Sequence, residues 1–198
     1  MKKCFPLIFC LTLFLSLLRC ADTELAARGV AEKTVRLHVR ADRDDSEAQR
    51  LKLAVRDAVL NELAPVLSGC PDADTAEGLI SASLPRVEAA ARECLEENGC
   101  ALPVKASLAE ESFPLRRYES FALPAGDYRA LRVDIGSGEG KNWWCVVFPP
   151  LCLPSLEEDE SLSVFSPEER RLISEDGYEL RFRVLELLSE LKKIFGAK

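Results

Sequence analysis

The sequence predicts an α+β domain: an antiparallel sheet of about five strands covered by two to three helices, with a C-terminal amphipathic helix. Three observations carry this. Apolar residues recur with period two near the start and in the middle of the chain, two long stretches of helical spacing lie between, and 198 residues give room for one domain of common size.

The first strand is read over Lys33 to Arg40, KTVRLHVR, where Val35, Leu37 and Val39 alternate with Arg36, His38 and Arg40, the pattern of a strand with one buried face. The spacing then becomes helical. In DRDDSEAQRLKLAVRDAVLNEL, Leu51, Val55, Ala58, Val59 and Leu63 share one side, with Lys52, Arg56 and Asp57 outside. Ser46 and Gln49 have capping-box spacing, and Pro65 and Gly69 end the run. A second helical region starts near Asp74, where Asp74 and Glu77 have cap spacing, and stops at Asn98-Gly99. Because proline lacks an amide donor and suits a first turn, Ser83-Leu84-Pro85 predicts a fresh helix that turns Val87, Ala91, Cys94 and Leu95 inward. From Leu102 the period returns to two, giving strands at Val104 to Leu108, Tyr118 to Leu123, Tyr128 to Ile135 and Trp143 to Phe148. Their links are short, which predicts antiparallel pairing. Ser166-Pro167-Glu168-Glu169 opens a short helix, and RFRVLELLSELKKIF supplies the terminal one through Val184, Leu187, Leu188 and Leu191.

Residues 1–20, MKKCFPLIFCLTLFLSLLRC, place Lys2 and Lys3 before an apolar run from Phe5 to Leu18, the charge order and length of a secretory signal. A permanent span needs about 20 apolar residues, so transient membrane contact is expected, with one folded domain over 33–198. Neither Cys20-Ala21 nor Ala26-Ala27 is a strong cleavage signal, and Arg19 is the wrong neighbour for a lipidated Cys20. Losing Lys2, Lys3 and Arg19 takes the formal charge from −7 to −10, which repels polyanions and excludes a nucleic-acid binder. Cys70, Cys94, Cys100, Cys145 and Cys152 remain beyond the leader, an odd number for an exported chain.

No cofactor motif survives inspection. Gly136, Gly138 and Gly140 suggest a phosphate loop, yet Ile135 and Asn142 stand where that loop needs Gly and Ser or Thr, so a flexible hairpin loop is expected. His38 is the only histidine, which excludes a triad or a metal site with two imidazoles and leaves a Cys-His pair with Cys145 or Cys152 as the rival, hydrolytic reading. The cysteine spacings match no zinc knuckle. In NWWCVVFPPLC, Trp143, Cys145 and Val147 point one way and Trp144, Val146 and Phe148 the other, which suits a central strand or one lying under a partner protein. Pro149-Pro150 stops the ladder and makes Cys145 and Cys152 the expected disulfide pair.

RLHVRADRDDSEAQRLKLAVRDAVL (Arg36 to Leu60), FPLRRYESFALPAGDYRALRVDIGSGEGKNWWCVVFPPLC (Phe113 to Cys152) and LRFRVLELL near the end resemble the stage II sporulation protein R family of endospore-forming bacteria, over nearly the whole chain beyond the leader. Asp42-Arg43 stands where that family tends to have Asn-Ser. The resemblance implies a signal rather than an enzyme: a protein exported from the forespore into the space between the forespore and mother-cell membranes. There it would activate a membrane-embedded aspartic protease that processes the sigma-E precursor. The candidate contacts are Arg36, His38 and Arg40, with Trp143, Trp144 and the loop Gly136, Gly138 and Gly140.

Overall fold

The structure, a computed structural model, describes residues 21–118, 121–151 and 162–174. In chain order these form helix α1 (21–32), strand β1 (Val35–Arg40), helices α2 (Ser46–Leu67) and α3 (Ala73–Glu97), strands β2 (Val104–Phe113), β3 (Arg116–Arg117), β4 (Ala122–Leu123), β5 (Gly126–Ile135) and β6 (Asn142–Phe148), and helix α4 (Pro167–Ile173). Their contacts gather them into two units. Among the described residues, one unit holds 31–112, 127–151 and 162–164, and the other holds 21–30, 113–118, 121–126 and 165–174.

The fold class is α+β, as expected, but the sheet of the larger unit is mixed. Its four strands run in the order β2-β5-β1-β6, with β1 parallel to β5 and antiparallel to β6. Short links between neighbours in sequence suggested an all-antiparallel sheet of five strands. Instead β1 inserts between β5 and β6 after the two-helix excursion, a non-local pairing that link length does not report. Strand β1 is therefore one of the two inner strands, with β5, and β6 closes one edge of this sheet. A register shift between Val35 and Arg36 leaves Val147 as an extra residue opposite β1, so Phe148 pairs with Val35 and turns to the core rather than to the side of Trp144 and Val146.

Helices α2 and α3 cover one face of this sheet. Val55, Val59 and Leu63 of α2 and Ile80, Val87, Ala91 and Leu95 of α3 are fully buried with Val35, Leu37, Val39, Leu131 and Val133. Each large aliphatic removed from water stabilises the fold by about 1.5–3 kcal/mol. That continuity explains why α3 runs unbroken through Pro85, where a new helix was expected. The proline ring is exposed, one amide bond is forgone, and buried residues on both sides of it hold one helical face. The caps also lie slightly earlier than read. Asp45 accepts from the Ala48 amide and Asp72 from the Thr75 amide, while Gln49 donates to the Arg43 carbonyl. Asp74 and Glu77 bind Arg129 of β5 instead. Asn98-Gly99 ends α3 as predicted: Gly99 has φ 72°, and the Cys100 amide donates to the Leu95 carbonyl at 2.9 Å.

In the smaller unit, β3 and β4 pair antiparallel, and Phe121 bridges to Ser174 after α4. Ala26 and Ala27 of α1, with Leu115, pack on Ala122 and Leu172. Ser166 and Glu169 form the capping box of α4, in agreement with the start read from sequence. The expected C-terminal amphipathic helix lies outside the described residues.

The β5–β6 connection is no hairpin, since β1 separates the two strands. It is pinned to the segment after β1: Ser137 and Lys141 amides donate to Asp42 and Asp44 carboxylates, and the Gly140 amide donates to the Ala41 carbonyl at 2.8 Å. A Cβ on Gly140 would lie 2.4 Å from the Arg43 carbonyl oxygen, which is backbone and cannot swing aside. Gly140→Ala is therefore expected to destabilise the protein by about 1–3 kcal/mol. Gly78→Ala, inside α3 with nothing within 4 Å of the new methyl, is expected to stabilise it by about 0.5–1 kcal/mol. Urea unfolding of the two variants checks the pair, and a destabilising Gly78→Ala would contradict the helix assignment.

Candidate functional site

Alternation along β1 sends Arg36, His38 and Arg40 to the sheet face turned away from α2 and α3, and the strand register sets their neighbours. Arg36 stands beside Ala130 and Val146, His38 between Arg132 and Trp144, and Arg40 between Asp134 and Asn142. This face was expected to be solvated. Because β1 is an inner strand, Arg36 is instead fully buried and His38 is 6% exposed. Arg36 places its guanidinium 5.0 Å from the centre of the Tyr128 ring, a contact that lowers the penalty of desolvating the charge.

His38 is held on three sides. Its Nδ1 lies 2.7 Å from Glu111 of β2, its Nε2 lies 2.9 Å from the Asn142 side chain, and its ring stacks on Trp144 at 3.9 Å between centroids with an 18° interplanar angle. Glu111 also meets Arg132 at 3.3 Å, Arg132 lies 3.2 Å from Asp134, and Arg40 donates to Asp134 at 2.5 Å. The result is a connected polar network across three strands, Glu111 and Asp134 set among His38, Arg132 and Arg40. Glu111, Arg132, Asp134 and Asn142 escaped the sequence reading. Alternate polar positions in β5 hinted at Arg132 and Asp134, but Glu111 is visible only once the strand order is known.

The remaining candidates divide. Trp143 turns to the opposite face, packs on the core and carries the Arg56 guanidinium 4.5 Å from its ring centre, so the two tryptophans form no single aromatic patch. Gly138 and Gly140 are buried, and Gly138 lies against the Arg40 guanidinium, where a Cβ would sit 3.2 Å from a terminal nitrogen. These glycines permit close packing of the loop. The amide donors of Ser137 and Lys141, which a phosphate ligand would need, are satisfied by Asp42 and Asp44.

Cys145 pairs with Leu37 on the helix-covered face, away from His38, and is disulfide-bonded. Cys152, its expected partner, lies outside the described residues, and Cys70, Cys94 and Cys100 have free thiols. A histidine base must reach its nucleophile at about 2.6–3.2 Å, and both nitrogens of His38 already face Glu111 and Asn142. Among the described residues, no three His, Cys, Asp or Glu side chains converge as a metal site.

Burial pushes the Asp134 carboxyl up. The hydrogen bond from Arg40 and the charges of Arg40, Arg132 and His38 outweigh it and hold the group below the ordinary carboxylate range. A depressed folded value means stability that is present above the unfolded pKa and is lost as pH falls through the folded one. Asp134→Asn is thus expected to lower stability by about 1–2 kcal/mol at neutral pH, with the deficit shrinking below about pH 4. Urea midpoints of both proteins between neutral and strongly acid pH check this, and a pH-independent difference would contradict the ion-pair account.

Comparison with known proteins agrees with the segments that carried the resemblance. The sequence model of the family described as Stage II sporulation protein R matches residues 31–158. The Stage II sporulation protein R of Bacillus subtilis (strain 168) is 29% identical over 224 aligned residues, covering 96% of this chain and 99% of that protein. No solved structure matches the chain. The matched region takes in β1, the helix pair and the polar face just described, and the chain belongs to the stage II sporulation protein R family.

Proposed function

We propose that the protein is a secreted sporulation signal that works by docking: exported from the forespore into the intermembrane space, it activates a membrane-embedded aspartic protease and so starts processing of the sigma-E precursor. Family membership and the leader over 1–20 support the setting. The observation that favours docking over turnover is His38, engaged at both nitrogens and on the opposite sheet face from the disulfide-bonded Cys145. Of the rival pairings, His38 with Cys145 or with Cys152, the first is disfavoured because Cys145 lies on the other face of the sheet, and Cys152 lies outside the described residues.

The contact surface proposed is the open end of the polar face: half-buried Arg40 and Trp144 and exposed Asn142. Arg36 is buried and serves the fold, and Trp143 serves the core. His38 and Glu111 act as a strut that sets the plane of the Trp144 ring. A ligand that binds the active form of the protease better than the inactive form shifts that equilibrium by the difference in binding energy. Rigid, pre-oriented aromatic and arginine side chains are suited to such a surface because little freedom is lost when they dock.

The test is to add the purified protein to membranes carrying the candidate protease and follow precursor cleavage. Trp144→Ala and Arg40→Ala, each confirmed as folded, are expected to raise the half-activating concentration about 5–30-fold, equivalent to about 1–2 kcal/mol of docking energy. His38→Ala is expected to give a smaller, graded loss. Complete loss with His38→Ala alone, alongside full activity of Trp144→Ala and Arg40→Ala, would point to catalysis.

A further inference from the structure

From the place of α1 in the fold we infer that residues 26–32 belong to the mature protein, and that any removal of the leader cuts on the N-terminal side of Ala26. The small-residue sites further along the chain are then not processing sites. The inference rests on the export reading above.

Two later stretches carry small residues where a leader cut could fall: Ala26-Ala27, itself a weak signal, and Gly29-Val30-Ala31 ahead of Glu32. Both lie within α1, and the fold uses them. Ala26 and Ala27 pack on Ala122 and Leu172, Val30 is fully buried, and Glu24 pairs with Arg28 one turn on at 2.8 Å. Gly29 lies so close to the buried Glu169 that an added Cβ would sit 2.1 Å from its carboxylate oxygen. Glu169 is also the residue that closes the capping box of α4.

A cut after Ala26 would remove the described part of α1 up to that residue and take away one of the alanines packed on Ala122 and Leu172. A cut after Ala31 would remove the whole helix, empty the place of Val30 and leave Glu169 facing the gap where Gly29 had been. Either product lacks part of the packing of its own smaller unit. Upstream the situation differs. The apolar run ends at Leu18 and α1 is already helical at Ala21, so only a few bonds lie between the segment a membrane takes and the segment the fold takes. Export therefore leaves almost no linker ahead of the domain.

The full chain, with its own leader, is expressed in a bacterial host, and the folded product is recovered and its N-terminus read by intact mass. The expected product starts at or before Ala26. A folded product starting at Ala27 or Glu32 overturns the inference. In parallel, Ala26→Asp in the same full chain places a charge against Ala122 and Leu172, and its urea midpoint is expected to fall by about 0.5–1 M; an unchanged midpoint overturns the inference. Protein that stays in the cytoplasm with its leader intact refutes the export reading instead, and the Ala26→Asp comparison still decides whether α1 is part of the folded protein.

Discussion

The burial of β1 between β5 and β6 is the constraint on which the rest of the larger unit depends. A central strand has both edges paired and little solvent on either side, so each of its residues must find partners in protein. Val35, Leu37 and Val39 find them in the helix pair. Arg36, His38 and Arg40 cannot be covered by apolar groups at tolerable cost. They require the Tyr128 ring, the Glu111 and Asp134 carboxylates and the Asn142 amide, supplied by the other three strands of the sheet. Moving any of those strands by one residue would turn the whole set to the wrong face.

Much of this was legible in the sequence wherever the signal is local. Period two marked β1, β5 and β6, helical spacing marked α2 and α3, and Asn98-Gly99 and Ser166 with Glu169 marked helix ends correctly. What escaped is non-local. The parallel pairing of β1 with β5 depends on a return across some ninety residues, and no short window carries it. Pro85 misled because the one bond it removes is outweighed by a buried face on both sides. The shift at Val147 reversed the side of Phe148, a change invisible to strict alternation. For the site, His38, Arg40 and Trp144 stood out as residue types, but their partners Glu111 and Asp134 sit in strands whose neighbours only the fold reveals.

The same constraint bears on how the protein acts. A histidine fixed by a carboxylate, an amide and an indole is well placed to orient its neighbours. Across the sheet, the disulfide at Cys145 leaves no thiolate there to attack a substrate. The glycine loop is likewise satisfied from within, its amides given to Asp42 and Asp44. Residues that resemble catalytic parts in isolation thus stiffen one end of the sheet, a property the proposed docking surface would use.

Docking and covalent activation differ in what remains after the protein is taken away. The most direct measurement of the proposal is to add the purified protein to membranes carrying the proposed protease, wash the membranes free of it and follow precursor cleavage before and after the wash. An account based on docking predicts that cleavage stops as the bound protein dissociates and resumes on its return. Cleavage that continues at full rate once none of it remains would show that it had altered its target chemically, and would contradict that account.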